Sequence, residues 1–191
     1  TITWDGGTIG TRQSGHIHNL EDALFDVQTT ARLTRWDGDE MTFLNEGTFR
    51  KSTTEGVFHF TQGIFDNQGK IEIQAGNLSL DRPVVLDGEV EATGGDLILQ
   101  MGGSLGGPFR MGESQELLFA TGGYVLAEGF SYPDSALFRV DNASVRVLDA
   151  VELQNVSLAR GSLGGPGTIS ITDTLEWTSG TLLGEDSLVS R

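Results

Sequence analysis

Apolar and polar residues alternate in short runs along most of the chain, as in Ile71-Glu72-Ile73, Leu78-Ser79-Leu80, Val145-Arg146-Val147 and Ile169-Ser170-Ile171. Period two is the mark of a strand with one buried face, and glycine-bounded runs of a few residues predict short strands between tight turns. In one stretch Val57, Phe58, Phe60, Ile64 and Phe65 supply the aromatic and β-branched residues expected on the inward face. No window carries a capped i, i+3, i+4, i+7 stripe. Asn19–Phe25 offers a turn of helix at most before Asp26-Val27-Gln28-Thr29 reads as strand. The pattern predicts an almost wholly β chain.

Internal similarity organises these strands. Phe43-Leu44-Asn45-Glu46-Gly47-Thr48-Phe49 aligns with Phe65-Asp66-Asn67-Gln68-Gly69-Lys70-Ile71 at an offset of 22. Gly103-Ser104-Leu105-Gly106-Gly107-Pro108 recurs letter for letter at Gly161-Ser162-Leu163-Gly164-Gly165-Pro166, an offset of 58. Trp4-Asp5-Gly6-Gly7-Thr8-Ile9 is echoed by Trp177-Thr178-Ser179-Gly180-Thr181-Leu182 at 173. The repeat is real and degenerate.

Two architectures accommodate such strands. A β-sandwich needs hairpins, and Asp5-Gly6, Asp37-Gly38 and Asp87-Gly88 offer turns for them. A solenoid with about 22 residues per coil would instead stack Phe43 on Phe65, Asn45 on Asn67 and Gly47 on Gly69, forming internal aromatic ladders and an asparagine ladder at a turn. The in-phase recurrence favours the solenoid, a rod on the order of 40 Å long. The expected fold is all-β, a right-handed parallel β-helix, with the β-sandwich as alternative.

The run Phe65–Leu80 and the unit Trp177-Thr178-Ser179-Gly180-Thr181-Leu182-Leu183-Gly184 resemble the repeats of large bacterial extracellular β-solenoids, a group including filamentous-haemagglutinin-type adhesins and autotransporter passengers. The resemblance covers about two-thirds of the chain and is weakest over Gly129–Asp141, where a loop or insertion is expected. It implies a secreted right-handed β-helix used for reach, adhesion or surface coating, and it carries no catalytic residues. The chain reads as one solenoid domain over 1–191, and its start at Thr1-Ile2-Thr3-Trp4 is that expected of a segment of a longer repetitive protein.

Composition narrows the partners. With 27 acidic and 12 basic side chains the formal charge is −15. Nucleic-acid binding is therefore not expected, because phosphate neutralisation needs clustered Lys and Arg, and anionic membrane surfaces are disfavoured likewise. No apolar run approaches a spanning helix, so membrane insertion of this segment is not expected. Gly at 27 of 191 residues is about twice ordinary usage and fits many tight turns. Absence of cysteine removes disulfides, thiolate metal sites and a cysteine nucleophile.

Candidate chemistry is sparse. Gly102-Gly103-Ser104-Leu105-Gly106 matches the G-x-S-x-G elbow, yet His16, His18 and His59 all precede Ser104, against the order that hydrolase requires. His16-Ile17-His18 puts two imidazoles on one strand face with no visible third ligand except a distant His59. Asp37-Gly38-Asp39-Glu40 is an acidic turn without EF-hand spacing. Asp81-Arg82 and Arg139-Val140-Asp141 combine acid and base locally, as a polysaccharide lyase or hydrolase on a β-helix would require. Trp4, Trp36 and Trp177 are candidates for stacking on sugars; the matching contexts of Trp4 and Trp177 favour packing, and Trp36, between Arg35 and Asp37, reads as the surface tryptophan.

The resulting expectation is a noncatalytic, extracellular structural or adhesive segment of a bacterial surface protein. No catalytic residue, metal ligand or cofactor is assigned, and the binding residues stay open. Surface glycans or other surface proteins are the expected partners. A carbohydrate-binding module and a polysaccharide-degrading enzyme are the alternatives.

Overall fold

The structure, a computed structural model, describes every residue except 14, 39, 54–55, 133–135, 185–187 and 191, with backbone alone for 35 and 188–190. Alternation along the chain becomes alternation between inside and outside: in Thr42–Asn45, Phe43 and Asn45 are buried while Thr42 and Leu44 face outward. The same period turns Val57 and Ile64 outward, against the expectation for these two, and leaves Phe58, Phe60 and Phe65 inside.

Three strands make each of the first six coils. The first coil holds β1 (Ile2–Trp4), β2 (Ile9–Arg12) and β3 (His16–Asn19), and the second β4 (Leu24–Val27), β5 (Leu33–Asp37) and β6 (Thr42–Asn45). Next come β7 (Thr48–Lys51), β8 (Val57–Phe60) and β9 (Ile64–Asn67), then β10 (Lys70–Ile73), β11 (Asn77–Leu80) and β12 (Val84–Leu86). The fifth coil is β13 (Glu89–Ala92), β14 (Leu97–Leu99) and β15 (Gly103–Leu105), and the sixth β16 (Phe109–Met111), β17 (Glu116–Phe119) and β18 (Gly122–Leu126). Thereafter the corners dissolve into long bent strands, β19 (Leu137–Val147), β20 (Val151–Gly165) and β21 (Ile169–Trp177), followed by β22 (Thr181–Gly184) and β23 (Leu188–Ser190).

Every ladder among the described residues is parallel, each strand lying on its equivalent one coil away. The first face stacks β1-β4-β7-β10-β13-β16. The second stacks β2-β5 and then β8-β11-β14-β17 onto the leading half of β19. The third stacks β3-β6-β9-β12-β15-β18 onto the trailing half of β19, which continues into β20 and β22. The protein is a β-solenoid of about 9 turns with roughly 20 residues per turn. The sandwich alternative fails because its hairpins would require antiparallel pairs; Asp87-Gly88 turns a coil corner between β12 and β13 instead.

Coil length drifts, so a single period of 22 holds only locally. His16 lies on Thr42 after 26 residues, Thr42 on Ile64 after 22, Lys70 on Glu89 after 19 and Leu137 on Asn155 after 18. The physical cause is the corners. Early coils carry long ones, whereas β19 bends from the second face to the third through a register shift at Val140–Ala143, with Asn142 at φ 67. The Gly129–Asp141 stretch places Phe130 and Tyr132 inside, bridges Ser131 to Pro108 and resumes as strand at Leu137; Pro133 and Asp134 lie outside the described residues.

Like residues stack on like inside. Phe43 and Phe65 are 5.2 Å apart at 9°, and Phe25 and Phe49 5.8 Å apart at 8°. Edge contacts tie these pairs to Trp4 and Phe60, and Trp4 in turn meets Phe58 edge-on. At the corner after the third face Asn19, Asn45 and Asn67 form the expected ladder. Asn19 Nδ2 donates to Asn45 Oδ1 at 2.7 Å, and Asn45 Nδ2 to Asn67 Oδ1 at 2.6 Å. Leu86 occupies the next rung and ends it.

Candidate functional site

Outward side chains are linked across coil boundaries. On the first face Asp26, Arg50, Glu72, Glu91 and Arg110 occupy successive rungs of one row. Arg50 Nε meets Glu72 Oε2 at 2.7 Å, Lys70 Nζ lies 3.2 Å from Glu72 and also contacts Glu91, and Arg110 Nε lies 3.3 Å from Glu89. Burial works to raise the Glu72 carboxyl, but Arg50 and Lys70 overcome it and hold it below the ordinary range.

The second face carries the densest polar chemistry. His59 Nδ1 and Asp81 Oδ2 are 2.8 Å apart, Ser79 donates to Asp81, and Gln100 Nε2 reaches Ser79 at 3.0 Å and Asp81 at 2.9 Å. Three coils share that network. Asp81 and Arg82, adjacent in sequence, do not act together, because Arg82 pairs with Glu40 instead. Further along, Arg139 and Asp141 do meet, at 3.7 Å, and Arg139 lies 3.7 Å from Glu116 one coil below. Arg160, one coil above, bonds Asp141 at 2.9 Å. Burial pushes the Glu116 carboxyl up; Arg139 opposes this, and the carboxylates of Asp96 and Asp141 add to it. Glu116 and Arg160 were invisible in the sequence because one whole coil separates each from its partner.

This cluster brings together a carboxyl raised by burial, a second carboxylate and two guanidiniums. It lies on the outside of the coil where β19 bends from the second face to the third, and the guanidiniums pair with the carboxylates they touch. The arrangement is a charge-balanced network with the donor set of an anion or sugar contact.

The remaining candidates lie apart. His16 and His18 point outward from β3 on the third face, His18 against Glu46 at 2.6 Å, while His59 belongs to the second face. Among the described residues no three His, Asp or Glu side chains gather closely enough to hold a metal ion. Ser104 faces outward from β15 between Val85 and Val125. Asp39 of the acidic turn lies outside the described residues.

Trp36 is 59% exposed on the two-stranded opening of the second face, with the Arg12 guanidinium 5.2 Å from its ring centroid. A β-carbon at Gly10 would meet that ring at 2.6 Å, so glycine makes the shelf on which the indole lies. Trp4 and Trp177 share a turn, each donating Nε1–H to the carbonyl three residues on, at 3.4 Å to Gly7 and 3.3 Å to Gly180. They lie on different faces but both on inward rows: Trp4 is buried against the core, while Trp177, stacked on Leu158, is 54% exposed because no described rung covers it. Trp4 fills the packing role inferred from the matching contexts, and Trp177 occupies the inward row that such a role requires, above Leu158 and Val140.

Compared with protein-family models, curated proteins and solved structures, the chain matches none.

Proposed function

We propose that the chain is a noncatalytic structural and adhesive rod, a segment of an extracellular bacterial surface protein of the filamentous-haemagglutinin or autotransporter-passenger kind. The observation that carries this reading is the use of side chains to join coils. The asparagine ladder inside, the phenylalanine stacks and the Arg50–Glu72, His59–Asp81 and Arg160–Asp141 pairs outside all cross from one coil to the next. Each exposed pair contributes little stability by itself. Together with continuous backbone ladders they resist bending and shear, the demand on a spacer that must project a binding surface. About 9 turns at about 4.8 Å give a reach of about 43 Å.

A second reading, carbohydrate binding, has its own support in Trp36. Its exposed indole and adjacent Arg12 offer a stacking surface and a hydrogen-bond donor to one sugar ring. A glycan-binding screen run alongside a turnover assay, with and without calcium, tests both readings. The rod reading expects no product release. Binding abolished by Trp36→Ala at unchanged melting temperature promotes the second reading. Steady product release from a defined glycan, abolished by Glu116→Gln or Asp141→Asn, overturns the noncatalytic reading.

A further inference from the structure

The third face presents a surface unlike the other two. In its first four coils one outward row reads His18, Leu44, Asp66 and Val85. Ser104 occupies the fifth rung, and Val125, Arg146, Gly164 and Leu183 the last four. A neighbouring row has His16, Thr42 and Ile64 at the start and Gly123, Ser144, Ser162 and Thr181 at the end. Asp66 and Arg146 are the sole carboxylate and guanidinium in these rows, and neither makes an ion pair among the described residues. The corresponding row of the first face is charged at five successive rungs, from Asp26 to Arg110. Of the eight large apolar side chains left exposed among the described residues, Leu20, Ile64, Met101, Leu148 and Leu183 lie on the third face or at its edges.

The order of residues is also self-complementary. Asp66 sits two rungs below Ser104 and Arg146 two rungs above it. In the neighbouring row His16, Thr42 and Ile64 give way to Gly123, Ser144, Ser162 and Thr181, and Ser144, Arg146, Ser162, Gly164 and Leu183 line a shallow hollow of about 150 Å³.

We propose that the third face docks a second copy of this chain, in an isologous pair whose two-fold axis runs along the strands through Ser104. Such a rotation preserves position along the strand and reverses the coil order, so the third rung of one copy faces the seventh of the other. Asp66 then meets Arg146 of the second copy, twice, and the two charges left without ion-pair partners within one chain pair across the interface. Leu44 faces Gly164 and enters the hollow, Ile64 faces Ser144, and Val85 faces Val125. The first face and the Arg139 cluster of the second already pair their charges within the chain, whereas the third face leaves Asp66 and Arg146 available to a second copy. Its footprint is about 40 Å of coil axis by about 20 Å including the corners, about 800 Å² per copy, which is what a standard stable interface requires.

The inference rests on the strand register alone, so its failure leaves the rod reading standing. Two measurements test it. Sedimentation of the whole 191-residue chain at physiological ionic strength should show a dimer. Asp66→Arg and Arg146→Asp should each weaken it by at least about 100-fold, since each creates two like-charge contacts, and the double exchange should restore it. The chain has no cysteine, so Ser104→Cys introduces a unique thiol on the two-fold axis. It should form a disulfide-linked dimer under mild oxidation, whereas Glu91→Cys on the first face should not. All these positions face outward, and circular dichroism checks that each variant is folded. A monomeric parent chain, a dimer indifferent to the single charge reversals, or glycan binding by a monomer through this face would overturn the proposal.

Discussion

Asn45 is the middle rung of a buried ladder, and truncating it to alanine should cost more than truncating either end. Its amide donates to Asn67 Oδ1 at 2.6 Å, to the Lys70 carbonyl at 3.0 Å and to the Gly47 carbonyl at 3.2 Å. Its Oδ1 accepts from Asn19 at 2.7 Å. Asn45→Ala therefore strands the Asn67 acceptor and removes the Asn45 donations to the Gly47 and Lys70 carbonyls, in a site with no exposure, while Asn19 keeps the Thr48 carbonyl at 3.0 Å. A buried polar group left without a partner costs about 1–3 kcal/mol and each further lost hydrogen bond about 1 kcal/mol, so about 4 kcal/mol is expected in sum. Asn19→Ala strands Asn45 Oδ1 and loses the bond to the Thr48 carbonyl, for about 3 kcal/mol. Asn67→Ala should cost less again, because its own donations to Gly69 and Glu89 are long, at 3.4 and 3.5 Å. A solenoid can lose end coils before central ones, so the measurement should be local: native-state hydrogen exchange at the Glu46 and Gln68 amides, which bond the carbonyls of Asn19 and Asn45. A loss below about 1 kcal/mol for Asn45→Ala, or one no larger than for Asn19→Ala, would refute the ladder as a source of stability.

Phe65→Ala should cost about 3–5 kcal/mol and Phe43→Ala a similar amount, read by the same exchange experiment, since each ring is stacked and fully enclosed. Lys51, buried between Val27 and Ile73 with Nζ on the Ala75 carbonyl, has a pKa held below its ordinary 10.5 by burial, against the pull of Asp26. Between the folded pKa and 10.5 the unfolded chain binds more protons. Stability should therefore rise with pH across that window, and urea titrations of Lys51→Met should show the rise removed. Gly107→Ala should prevent the fifth and fourth coils from closing, because a β-carbon there overlaps the Gly88 carbonyl oxygen; a melting temperature within a few degrees of the parent would contradict that packing.

Strands, the inward Phe58, Phe60 and Phe65 though not Val57 and Ile64, and the 22-residue stack of Phe43 on Phe65 and Asn45 on Asn67 were legible in the sequence alone. Pleating gives every strand period two, and in a parallel ladder a residue's neighbour is its own counterpart, so like residues recur in phase. Corner lengths were not legible, because a turn is free to gain or lose residues as long as the next strand reaches its register, and coils accordingly run from 26 residues to 18. The six-letter repeat misleads for a related reason. The ladder carries Gly103 through Tyr124 and Val145 to Leu163, after 60 residues instead of 58. A slip of two preserves inside and outside, so the pattern cannot reveal it. Trp4 and Trp177 share a local turn and an inward position, but the coil closure alone places them on different faces. The assembly of Glu116, Arg139, Asp141 and Arg160 likewise belongs to the tertiary structure, since only the closure of each coil on the last brings those four side chains together.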